Sequence, residues 1–251
     1  MLRTLFWLSW FFGYLMIKVP RYWKVKRLGR QGKTEEQREM LLAEIKQWAT
    51  RLLRNIQVKL VVEGIENLPP PEEPVVFACN HQSYMDVPVL LSGLDFPRPL
   101  LSKTLIGKVP FLGKWMRLLG CVFVEREDMR SSLVALRECE RVVKNGQSII
   151  IFPEGTRSMQ DEMGPFKEGI VHIAVKAGAR VVPLAIDGSH RVLEGSRYRL
   201  QKTTVRLVIM PPMETAGLNK AEKKALSDTL AEMIDTARRG ENSHPAEAVE
   251  A

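Results

Sequence analysis

Cysteine is scarce: Cys79, Cys121 and Cys139 are the only three in 251 residues. An odd count with no CxxC and no Cys/His metal spacing argues against a disulfide framework and a zinc site, and suits a reducing compartment. No Walker-type or GxGxxG loop occurs, which removes the common nucleotide cradles; no metal and no bound cofactor are expected. An uncharged run near the start, TLFWLSWFFGYLMI at residues 4–17, has only 14 residues, and nothing else in the chain suggests a multi-pass membrane protein. No small-residue A-x-A cleavage site follows it, so the run reads as a retained anchor rather than a removed signal peptide. No internal repeat is visible.

Acidic residues are missing altogether from residues 1–33, which hold eight cations: Arg3, Lys18, Arg21, Lys24, Lys26, Arg27, Arg30 and Lys33. The whole chain carries 37 Lys and Arg against 29 Asp and Glu, a net +8, so an anionic partner is expected: a nucleic acid, a membrane surface or a phosphorylated substrate. The remaining 218 residues balance at 29 of each sign, so the excess sits beside the apolar run. That placement points to a membrane surface and to a cytoplasmic flanking domain.

A helix over the 14 uncharged residues covers ~21 Å, short of the ~30 Å hydrocarbon layer, which suits a segment lying in the interface. Extended to residues 2–19, with Arg3 and Lys18 snorkelling, it also suits a tilted span. Eight of the 18 aromatics fall in residues 6–23, and such rings favour the headgroup level. Over residues 34–56, Leu41, Ile45, Trp48, Leu52 and Ile56 recur at helical spacing. This amphipathic helix is expected to pack on the domain, with lying on the bilayer as the alternative.

With 45% hydrophobic residues, the rest of the chain is long enough for one substantial core. From residue 58, apolar strand-like runs alternate with helical stretches: PVVFACN (74–80), RPLLS (98–102), CVFVE (121–125), SIIIF (148–152) and VVPLAI (181–186). Continuous apolar strands between helices predict an α/β domain with a mostly parallel sheet flanked by helices, behind an N-terminal membrane-associating two-helix element. The expected division is 1–57 for the anchoring helices, 58–240 for the αβ domain and 241–251 for a flexible tail. VVPLAI, with Pro183, is expected at a sheet edge or as the wall of an acyl-chain site.

NHQSYMD (80–86) follows a buried strand, so His81 falls at a strand end, where α/β sheets place their sites. A histidine in the loop and an aspartate in the first helical turn can face each other. Asp86 then fixes one ring nitrogen of His81 and leaves the other to take a proton from a hydroxyl. The alternative is an S-x-x-D cap from Ser83 to Asp86 with His81 merely bonded in a loop. FPEGTRS (152–158) forms a second loop at the same end: Gly155 allows close backbone approach, Thr156 offers a hydroxyl, and Arg157 can grip a phosphate with two donors. Glu154 is suited to accepting from a hydroxyl or orienting Arg157. Lys103, after a third strand, can add a point charge, while Arg126 either reaches the site or pairs with a neighbouring acid.

NHQSYMD, SKTLIGKVPFLG, GCVFVER, FPEGTRS and VVPLAI, in this order, resemble the bacterial glycerolipid acyltransferases, in particular the 1-acyl-sn-glycerol-3-phosphate (lysophosphatidic acid) acyltransferases, over about residues 58–215. The resemblance implies His81 as general base and Asp86 as its orienting partner. It implies Arg157, Lys103 and Arg126 toward the phosphate, with Glu154, Gly155 and Thr156 shaping the glycerol-phosphate pocket. TLIG after Lys103 departs from the family, where another charged residue is common. The implied reaction moves an acyl group from an acyl-carrier protein or CoA thioester to lysophosphatidic acid at the cytoplasmic face of a bacterial inner membrane. Alternative acceptors are a lyso-ornithine lipid, a lysophospholipid or glycerol-3-phosphate. Alternative classes are a thioesterase-like hydrolase, which has no use for a phosphate grip, and a basic membrane-binding module; nucleic acid is not an expected partner.

Overall fold

The computed structural model describes residues 2–125, 127–167 and 169–240. Seven short strands carry the apolar runs: β1 (Lys59–Glu63), β2 (Val76–Cys79), β3 (Leu101–Lys103), β4 (Val122–Val124), β5 (Ile149–Ile151), β6 (Val181–Asp187) and β7 (Thr204–Ile209). Five of them form a sheet in the order β1-β7-β6-β2-β5, parallel except for the antiparallel β6–β7 pair. The parallel pair β3–β4 continues beyond β5 through a bridge from Leu100 to Ile150.

Alternate side chains divide the core in two, as the period of a strand requires. Phe77, Cys79, Ile150, Val182 and Leu184 share one cluster with α3 (Thr34–Ile56), α4 (Asp86–Gly93) and α6 (Leu112–Leu119). Val76, Ala78, Ile149, Ile151 and Val181 pack on the other face against α7 (Met129–Lys144), α8 (Gly169–Ala177) and α9 (Lys220–Arg239). The result is the expected α/β architecture with both faces of a mostly parallel sheet covered.

Pro183 overturns the edge expectation. β6 lies between β2 and β7, and Pro183 is tolerated there because it sits where the antiparallel ladder ends. Its carbonyl accepts from Met210 N at 3.0 Å, and Val181 then exchanges two bonds with Met213. Two residues on β6 thus oppose three on the other chain, with Pro211 and Pro212 in the gap. The missing N–H falls at a bulge.

The N-terminal element has three helices where two were expected: α1 (Leu2–Ile17), α2 (Val19–Arg30) and α3. Lys18 separates the first two, and Pro20 in the opening turn of α2 lacks the N–H that would continue the ladder. Lys18 does not snorkel: its Nζ donates to Glu44 at 2.5 Å and Gln47 at 2.8 Å on α3. The amphipathic stripe of α3 packs on the domain, burying Leu41, Ile45, Leu52 and Ile56. Among the described residues, no helix is long and apolar enough to cross a membrane. Phe6, Phe12, Met16, Ile17 and Trp23 of α1 and α2 are exposed.

Candidate active site

The C-terminal ends of β2, β3, β5 and β6 converge, and the loops after them build the site. Asn80, fully buried, extends the β2–β6 ladder with its side chain: its Nδ2 donates to Ile186 O at 2.8 Å and its Oδ1 accepts from Ile186 N at 2.7 Å. The next residue, His81, is thereby delivered to the C-terminal end of a central strand. Its ring stacks on Phe152, with centroids 4.0 Å apart.

His81 Nδ1 lies 2.7 Å from Asp86 Oδ2. That oxygen also accepts from the backbone N–H groups of Gln82 at 2.7 Å and Ser83 at 2.9 Å, and Asp86 Oδ1 accepts from Ser189 Oγ. A carboxylate so surrounded by donors accepts from Nδ1–H, which leaves Nε2 as the acceptor nitrogen of the neutral ring. The S-x-x-D helix cap does not form, since Met85 is the N-cap of α4 with no side-chain cap; Asp86, the first residue of the helix, accepts from the loop amides and faces the histidine. α4 begins at Asp86, so the loop between the two residues is free to fold the carboxylate back.

The loop after β5 is tied to this one. Ser158 N donates to His81 O at 2.8 Å, and Met159 N to Gln82 O at 3.2 Å. Glu154 does not contact Arg157. Its Oε1 accepts from His81 N at 2.6 Å and its Oε2 from Gly164 N at 2.7 Å, so it joins the two loops. Burial holds its pKa above the ordinary carboxylate value, opposed by those two amides. Gly155 has φ +71, a left-handed conformation, with the Lys167 ammonium 3.0 Å from where a Cβ would stand.

Arg157 finds its partner elsewhere. Its Nη1 donates to Glu194 Oε1 at 2.8 Å, and its guanidinium carbon stands 3.5 Å from the Tyr84 ring centroid. Neither Ser189 nor Glu194 figured among the sequence candidates. Ser189 was legible in principle, because it follows β6 as His81 follows β2; Glu194 lies beyond a further turn and carries no local signal.

A cavity of about 620 Å³ is lined by His81, Tyr84, Lys103, Thr156 and Arg157. It runs between Trp7, Phe11, Leu15, Trp48 and Leu52 of α1 and α3 and Leu91, Trp115 and Leu119 of α4 and α6. Neither Glu154 nor Gly155 lines it, and β6 forms no part of its wall. The walls come instead from helices, including α1. Arg126, the remaining sequence candidate, lies outside the described residues.

Comparison with known proteins matches residues 59–187 to the family model described as Acyltransferase. A 1-acyl-sn-glycerol-3-phosphate acyltransferase from Pseudomonas aeruginosa is 31% identical over 211 residues, covering 80% of this chain and 79% of that protein. A 1-acyl-sn-glycerol-3-phosphate acyltransferase from Chlamydomonas reinhardtii is 37% identical over 177 residues, 68% of this chain and 53% of its own length. The chain spans about half the length of the algal and plant relatives it matches. The crystal structure of the 1-acyl-sn-glycerophosphate (LPA) acyltransferase PlsC from Thermotoga maritima superposes with a TM-score of 0.79 at 27% identity, covering 98% of this chain and 99% of that one.

Proposed function

The chain belongs to the acyltransferase family, and on that premise we propose that it transfers a fatty acyl group from an acyl thioester to the free hydroxyl of 1-acyl-sn-glycerol-3-phosphate, giving phosphatidic acid. The observation that carries the reading is the 2.7 Å contact of His81 Nδ1 with Asp86, with His81 lining a largely apolar cavity that Arg157 and Lys103 also line. Asp86 holds the Nδ1–H tautomer, so Nε2 takes the proton from the lysolipid hydroxyl as its oxygen attacks the thioester carbonyl. The tetrahedral intermediate collapses with loss of the thiolate, which receives the proton back from Nε2–H. One C–O bond forms, one C–S bond breaks, and no side chain is acylated.

Arg157 and Lys103 are suited to the acceptor's phosphate, and the helical walls of the cavity to an acyl chain. Thr156 is placed to meet the glycerol backbone. The donor is the thioester of CoA or acyl-carrier protein. The exposed aromatics of α1 and α2, beside cations and no acids, suit the anionic surface of a bacterial inner membrane on its cytoplasmic side.

The test is an acyl-transfer assay with the purified chain, both donor types and a panel of lysolipids. Wild type acylates lysophosphatidate in preference to lysophospholipids and glycerol-3-phosphate. His81→Ala lowers kcat by about a thousandfold, the usual weight of a general base, while the protein still melts cooperatively. Near-normal turnover by that variant defeats the mechanism.

A further inference from the structure

Glu194 lies outside every motif discussed so far, yet its side chain is only 2% exposed and joins two parts of the site. Oε1 accepts from Arg157 Nη1 at 2.8 Å and from Tyr84 N at 3.0 Å, and Oε2 accepts from Ser83 Oγ at 2.6 Å. Ser83 and Tyr84 lie between His81 and Asp86. One buried carboxylate therefore grips both the arginine and the loop that carries the base.

We propose that Glu194 is a positioning residue for the acceptor's phosphate, holding the Arg157 guanidinium at a set distance and angle from His81. The proposal rests on the acyl-transfer reading above and deepens it. The Tyr84 ring, 3.5 Å beneath the guanidinium carbon, sets the plane of the group. The carboxylate sets its rotation within that plane and occupies a single Nη1, which leaves the other donors for a bidentate contact. In 1-acyl-sn-glycerol-3-phosphate the free hydroxyl is borne by the carbon next to the one that carries the phosphate ester. An arginine fixed relative to His81 therefore brings that hydroxyl to Nε2.

Two effects of Glu194 oppose each other, and their signs separate the explanations. As a mere neighbouring charge, Glu194 repels a phosphate, so its removal tightens binding. As a clamp, its removal frees a long side chain to sample many rotamers, so binding weakens.

Affinity for lysophosphatidate and for the matching uncharged monoacylglycerol is measured in detergent micelles without a thioester, for wild type, Glu194→Ala and Glu194→Gln, beside the melting temperature of each. Glu194→Ala weakens lysophosphatidate binding roughly tenfold, the scale of one misplaced charge-assisted hydrogen bond, and leaves monoacylglycerol binding unchanged. Glu194→Gln recovers most of the loss, because its amide oxygen still accepts. Tighter or unchanged lysophosphatidate binding by Glu194→Ala overturns the proposal, as does an equal loss for both lipids or a wild type that does not prefer the phosphorylated one. Turnover with a donor is scored separately. A wild type that shows the preference, loses it in Glu194→Ala and yet transfers no acyl group supports the clamp and defeats the acyl-transfer reading.

Discussion

Asp86 has both carboxylate oxygens engaged, Oδ2 by His81 and two amides and Oδ1 by Ser189, and the whole group is inaccessible to solvent. A buried carboxylate depends on every such donor, since each unmet oxygen costs desolvation without return. Ser189→Ala therefore lowers stability by about 2 kcal/mol, the worth of a hydrogen bond to a charged group, read as a fall in melting temperature. It also lowers kcat, because Oδ1 loses the contact that helps fix the plane of the carboxylate facing His81. Glu154 is a second buried carboxylate with a different sign of effect. Its folded pKa is raised by burial, so ionised Glu154 burdens the native state, and the stability it permits at low pH is lost as pH rises through that raised value. Unfolding free energies of wild type and Glu154→Gln measured between pH 4 and 8 should show wild type losing stability relative to the variant as pH rises, because only wild type carries the buried charge; parallel curves would show that Glu154 does not titrate in this range.

At the scale of elements, the site depends on where strands stop and helices start. Asn80 substitutes its side-chain amide for one further step of the β2–β6 ladder. Asn80→Ala leaves the N–H and C=O of Ile186 unpaired in a fully buried region and should cost about 3 kcal/mol, more than a surface asparagine by an order of magnitude. A thermal or urea melt gives the value, and a cost under 1 kcal/mol would mean that water replaces the amide. α4 begins at Asp86. The loop before it matters, because positions five apart on one helix diverge, whereas a loop folds Asp86 back on His81. The capping box of Asn219 and Glu222 fixes the start of α9 at Lys220. α1 and α2 did not separate in the pattern, since Lys18 and Pro20 sit at the point where the apolar run simply becomes basic.

The molecule as a whole keeps its excess charge apart from its chemistry. Lys24, Arg27 and Arg30 are exposed on α2 beside the exposed Trp23, whereas Lys18 is engaged by Glu44 and lines the cavity. Replacing Lys24, Arg27 and Arg30 by Gln should weaken partition to vesicles rich in anionic lipid by about 3 kcal/mol, at roughly 1 kcal/mol per cation, and change partition to neutral vesicles little. Sedimentation with both vesicle types at low and high salt measures it, and unchanged partition to both would place the binding in the aromatics alone. The alternation of apolar strands and helices, the helical stripe of α3 and the loops bearing His81, Asp86 and Arg157 were legible in the sequence, because each follows from local periodicity or from a motif within a few residues. Tertiary structure alone decided that Pro183 lies in a central strand, that Glu154 joins loops while Glu194 holds Arg157, and that α1 and α3 wall the cavity. Those contacts link residues tens to more than a hundred positions apart, and no period or spacing along the chain records which distant segments the packing of the sheet brings together.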